Sequence, residues 1–161
     1  MTPSLSPELR AEIEALYADY AERLDDGPIE SWPQLFTEQC LYLLIPRDNF
    51  DRGLPLATIR CESRAMLEDR VRAVRETVMY EPRYLRHHIT NPRGAVAPDG
   101  TIDVRASFTV IEVLPDELPR VLLTGRYLDR IVREADGALR FAEKRCVHDS
   151  VLIANTIVVP A

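Results

Sequence analysis

The sequence predicts an α+β domain in which helices cover the concave face of a strongly curved antiparallel sheet, closed partly into a cone. Three observations predict it. Helix-periodic segments are confined to the first half, long alternating runs joined by Asp-Gly turns fill the second half, and a short apolar run between the helices reads as an early strand. Helices followed by strands pack as helices on one face of the sheet they precede. All 161 residues are expected to form one domain, long enough to bury a core.

The first helix spans about residues 7–25. Ser6 offers its hydroxyl as an N-cap, Pro7 suits the first helical position, and Leu9, Ile13, Leu16, Tyr17, Tyr20 and Leu24 recur at helical spacing. Asp26-Gly27-Pro28 ends it, because glycine accepts the left-handed conformation after a helix and proline cannot continue one. A short second helix is expected over about 29–37, carrying Trp32, Leu35 and Phe36. Leu41 to Ile45 reads as a buried strand stopped by the turn-rich residues 46–53, and Leu56 to Cys61 as a second extended piece. The third helix, about 63–78, starts at Ser63 and places Leu67, Val71, Val74 and Val78 on one face. Glu68, Arg72 and Glu76 form a solvated ladder on the other.

From about residue 80 to 150 the pattern is a strand meander. Asp99-Gly100 and Asp136-Gly137 are hairpin turns. Ile102, Val104, Ala106, Phe108 and Val110 alternate with Asp103, Arg105, Ser107 and Thr109, the signature of a half-buried antiparallel strand. Residues 115–119 make the next turn, and Val121 to Glu134 and Ala138 to Ser150 complete the meander. The apolar tail, 151–161, is either a docked last strand or part of an interface.

The formal charge is −6, which argues against a nucleic-acid partner. Lys144 is the sole lysine, and the other positive charges are arginines, whose planar forks suit ion pairs at packed interfaces. No apolar run approaches the roughly 18 residues of a membrane span, and no secretion signal opens the chain, so a soluble cytoplasmic protein is expected. Cys40, Cys61 and Cys146 form no paired motif and read as reduced, buried thiols.

Searches for chemistry return little. His87 and His88 are adjacent, so on a strand they point to opposite faces and cannot share an ion, and no zinc spacing joins them to His148. Cys146 and His148 share a strand face, where a core thiol is the simpler account. A phosphate loop, a dinucleotide fingerprint and a nucleophile elbow are all missing. Acid–base catalysis inside the cone is the enzyme alternative, with Tyr84, His87 or His88, Asp129 and Asp149 as its groups; ordinary strand-surface hydrogen bonding is the bland account of the same residues. The basic run at 83–88 is too short for a nucleic-acid platform and fits an acidic protein surface or this chain's own carboxylates.

Four stretches together resemble the small (β) subunit of bacterial aromatic-ring-hydroxylating dioxygenases. They are WPQLF at 32–36, SRAMLEDRV at 63–71, PRYLRHHITN at 82–91 and YLDRIVREADGALRFAEKRCVHDS at 127–150. The resemblance implies the nuclear-transport-factor-like cone and assembly with a large α subunit as α3β3, with β–β trimer contacts. It implies that α holds a Rieske [2Fe–2S] cluster and a mononuclear Fe(II) and hydroxylates an aromatic compound with O2. The β chain then carries no cofactor, metal or catalytic residue and serves as a structural base. Its shortness is similar to subunits of benzoate-, anthranilate-, salicylate- or terephthalate-type enzymes.

On that reading Arg64, Arg70, Arg83, Arg86 and His87 are candidates for subunit interfaces, and pairing of the arginines within the chain to Glu62, Glu68 or Asp69 is equally open. The alternatives are a stand-alone dehydratase or isomerase of the same superfamily, using the pocket set Tyr84, His88, Asp129 and Asp149, and a non-catalytic module that binds a small ligand.

Overall fold

The computed structural model describes residues 5–76, 82–153 and 157–161. Helix α1 (Pro7–Asp25) begins as expected: the Ser6 hydroxyl accepts from the Leu9 amide at 3.2 Å, and Ile13, Leu16, Tyr17, Tyr20 and Leu24 are buried against the sheet. The segment read as a second helix is a 3-10 helix, Ile29–Leu35. Pro33 inside it has no amide hydrogen to continue an α-helical ladder.

Strand β1 (Phe36–Pro46) starts five residues before the predicted Leu41. Its first half carries the exposed Glu38 and Gln39 and an irregularity in its pairing between Phe36 and Leu41, which breaks the alternation a strand is recognised by. The turn-rich stretch after it contains a one-turn helix, α2 (Arg47–Asp51), before the short β2 (Ile59–Cys61). Helix α3 (Arg64–Glu76) buries Leu67 and Val71; Val78 lies outside the described residues. On its outer face Arg72 pairs with Asp69 at 3.1 Å and Arg75 reaches Glu30 at 2.7 Å, in place of the expected Glu68–Arg72–Glu76 ladder.

The meander consists of β3 (Tyr84–Val96), β4 (Ile102–Val113), β5 (Arg120–Arg133) and β6 (Leu139–His148). The sheet order is β2-β1-β6-β5-β4-β3, so the sheet is open, with β2 and β3 at its edges. One correction follows for the expected antiparallel sheet. β1 and β6 run parallel, Leu44 opposite Cys146, which makes the sheet mixed. Hairpin turns fix only neighbours in sequence; β1 enters before the meander and finds β6 as the free edge it can reach. Register shifts in the β1–β6, β3–β4, β4–β5 and β5–β6 pairings give long strands the local twist that curls the sheet round α1.

The described residues of the apolar tail, 151–153 and 157–161, form no strand. Val151 and Leu152 are exposed, whereas Ile157 and Ala161 are buried beneath the helices.

Where β5 pairs with β6 at His148, Gly125 has no room for a side chain: an added Cβ would stand 2.0 Å from the Val147 carbonyl oxygen. That neighbour is backbone and cannot rotate away. Gly125→Ala is expected to destabilise the chain by about 2–3 kcal/mol in a urea titration.

Candidate functional site

The concave face meets α1 in a set of aromatic rings that surround one ammonium group. Lys144 and Asp129 are register partners on β6 and β5, and both side chains are fully buried. Lys144 Nζ lies 2.9 Å from Asp129 Oδ2, and the Tyr17 hydroxyl donates to the same oxygen at 2.6 Å. The ammonium also lies 3.4 Å from the centre of the Tyr127 ring, 4.4 Å from Tyr20, 4.6 Å from Phe141 and 4.9 Å from Tyr17. A cation in such a cage is held by ring quadrupoles as well as by its carboxylate. Burial pushes the Asp129 carboxyl above the usual carboxylate range, against the pull of Lys144 and the Tyr17 hydroxyl. Among the described residues Asp129 Oδ1 and the Tyr127 hydroxyl have no hydrogen-bond partner.

The tail closes this interior. The Ala161 carbonyl accepts from the Tyr20 hydroxyl, from the Tyr42 hydroxyl at 3.2 Å and from Cys146 Sγ at 3.3 Å, while the Ala161 amide donates to Tyr42 Oη at 2.9 Å. Arg70 donates to the Val158 and Ile157 carbonyls at 3.1 and 3.4 Å. His87 Nε2 lies 3.2 Å from the Pro160 carbonyl, and its Nδ1 is 2.6 Å from Asp25 Oδ1 at the end of α1. Side chains from α1, α3, β1, β3 and β6 thus fasten the tail through its backbone.

The structure separates the proposed pocket residues. Tyr84 is 73% exposed, and His88 points outward on the face opposite His87. Asp149 is exposed and pairs with Arg47 at 3.0 Å. Asp129 alone of the four lies inside the cone, where Lys144 and Tyr17 occupy one oxygen. His87, taken as an interface residue, is buried with Asp25, because β3 packs it against α1.

The arginines have partners within the chain, but not the acids expected. Arg64 donates to the Phe36 carbonyl at 3.1 Å, Arg70 holds the tail, and Arg86 pairs with Asp26 at 2.5 Å while keeping half its surface exposed. Arg83 and Arg120 both bind Glu112, at 2.5 and 2.7 Å. Glu112 is a buried carboxylate that sequence reasoning missed. Burial pushes its acid strength down, but the two guanidiniums outweigh this and hold it below the ordinary range. Alternation on β4 places Glu112 on the buried side, and that pattern was its one available signal.

Among the described residues no three His, Cys, Asp or Glu side chains stand close enough together to hold a metal ion. The three thiols are buried, and burial raises Cys40 to about 11 and Cys146 to about 12.

With this geometry in view, the relatives are informative. Residues 6–145 match the SnoaL-like domain, and the chain belongs to that family of nuclear-transport-factor-like cones. Its relatives there are narrower in kind. It is 34% identical to the anthranilate 1,2-dioxygenase small subunit of Burkholderia cepacia over 92% of each chain. It is 32% identical to a terephthalate 1,2-dioxygenase terminal oxygenase beta subunit of a Comamonas species, over 92% of this chain and 96% of that one. Among solved structures, a chain assigned as the beta subunit of an aromatic-ring-hydroxylating dioxygenase from Novosphingobium aromaticivorans superposes with a TM-score of 0.84 at 34% identity, covering 94% and 95% of the two chains. The chain is therefore a homologue of the small subunits of multicomponent aromatic-ring dioxygenases.

Two predictions follow from the interior. Lys144→Met is expected to cost about 3–5 kcal/mol in urea, because it strands a buried carboxylate, and adding Asp129→Leu should recover at least half of that loss. At pH 8 none of the three thiols should react with a disulfide reagent until denaturant is added; fast reaction of the folded chain would contradict the packing.

Proposed function

We propose that this chain is the structural β subunit of a multicomponent aromatic-ring dioxygenase, acting in the bacterial cytoplasm. It pairs with a large α subunit, as α3β3, and the α chain holds a Rieske cluster and a mononuclear iron and performs the O2-dependent hydroxylation. The observation that carries this reading is the identity with the anthranilate dioxygenase small subunit, which runs through 92% of both chains rather than through a shared motif. The substrate class it favours is an aromatic acid, in keeping with the anthranilate and terephthalate enzymes of the relatives.

The interior supports the same reading. Asp129 is engaged by Lys144 and Tyr17, and the docked tail occupies the space beside Tyr20, Tyr42 and Cys146. A stand-alone dehydratase would need an acid and a base facing an open pocket, yet Tyr84, His88 and Asp149 stand outside the cone. What the chain contributes is a rigid body with two long faces.

The test is co-purification. The tagged chain expressed with its neighbouring oxygenase gene should elute as a brown complex with a larger chain, with Rieske-type absorbance, bound iron and a native mass matching three of each subunit. A colourless, iron-free homo-oligomer would overturn the reading.

A further inference from the structure

The face of the sheet away from α1 and α3 carries a row of arginines, and α2 covers only its β1 end, where Leu43 is buried. In register across the strands stand Arg93 on β3, Arg105 on β4, Leu128 on β5, Arg145 on β6, Leu43 on β1 and Arg60 on β2. Arg145 is 2.8 Å from Glu143, and Arg60 is 2.7 Å from Glu62. Arg93 and Arg105 differ. Both are exposed and directly opposite one another on neighbouring strands, and among the described residues neither has a hydrogen-bond or ion-pair partner.

Like charges placed directly opposite destabilise an antiparallel pair. In a chain of net charge −6 carboxylates are plentiful, and Arg47, Arg86, Arg126, Arg133 and Arg140 all have one. The two unpaired forks instead border a groove of about 460 Å³, whose walls include Leu128, Arg145 and one surface carboxylate, Asp103, which Arg130 takes at 3.5 Å. Guanidinium forks grip carboxylates in bidentate fashion and tolerate partial desolvation, and Leu128 supplies an apolar floor between them and Arg145. The row crosses six strands, about 24 Å at the usual strand spacing, which is too wide for one small anion and suits the surface of another protein.

We propose that Arg93 and Arg105, with the groove over Leu128, are the docking site for a carboxylate-rich patch on the large oxygenase subunit. This inference rests on the oxygenase-subunit reading and adds to it the face and the chemistry of the contact. The electrostatic cost that the isolated chain bears at these two positions is relieved when the partner's acids arrive.

The experiment compares capture of the large subunit by the tagged wild-type chain, Arg93→Glu/Arg105→Glu, the milder Arg93→Gln/Arg105→Gln, and a control Arg72→Glu on α3. The reversal should lower recovery at least tenfold and the glutamine pair should lower it less. The control should leave it unchanged, and the wild-type complex should weaken as salt rises. In the isolated chain, single Arg105→Glu should leave the melting temperature unchanged or raise it, because the new carboxylate meets Arg93. A merely structural pair of residues would not give stability and assembly of opposite sign. If the wild type captures the large subunit and both double variants, folded, capture it equally, this inference falls and the oxygenase reading stands. If the wild type captures no large subunit, both fall.

Discussion

Lys144 is the chain's single lysine, and its ammonium lies where water does not reach, against Asp129 and among the rings of Tyr17, Tyr20, Tyr127 and Phe141. A buried charge is tolerable only when paired and hydrogen-bonded, so its position constrains everything that touches it. The Tyr17 hydroxyl must meet the shared carboxylate, which sets the rotation of α1 over the sheet. β5 and β6 must keep the register that brings Asp129 opposite Lys144. Tyr20 and Tyr42 then turn their hydroxyls to the Ala161 carbonyl, and the tail completes the packing. One ion pair thus ties helix, sheet and tail into a closed interior.

That closure separates this chain from a cone that works as an active site. The polar groups inside are spent largely on one another and on backbone carbonyls, with Asp129 Oδ1, the Tyr127 hydroxyl and the Trp32 indole N–H among those left without a partner among the described residues. The outer face is the reverse case: the buried Glu112 holds two arginines, whereas on the outer face Arg93 and Arg105 have no carboxylate among the described residues. An interior closed on itself and an outer face with unpaired charge suit a structural subunit, whose function lies in what it binds.

How much of this was readable from the residues depends on whether the signal was local. Helix α1 and strand β4 were legible because their apolar positions keep a strict period from end to end. β1 was found at half its length, since an irregularity in its pairing puts Glu38 and Gln39 where alternation should run. Its parallel pairing with β6 leaves no local trace, because the two strands are about a hundred residues apart. The arginines at 64, 70, 83 and 86 stand out as interface candidates because their forks suit carboxylates, yet their partners within the chain are backbone carbonyls, Glu112 and Asp26. Arg93 and Arg105 drew none: their meeting exists only once β3 and β4 are set in register. The motif strings, being long and ordered, carried the family where spacing alone gave no chemistry.

The most direct test of this account is a cryo-electron-microscopy map of the assembled oxygenase at side-chain resolution. The account predicts that the cone stays shut, with Lys144 on Asp129 and Ala161 against Tyr42, while acidic side chains of the large subunit cover Arg93 and Arg105. A map with the tail withdrawn, a small molecule inside the cone and the arginine row facing solvent would contradict it.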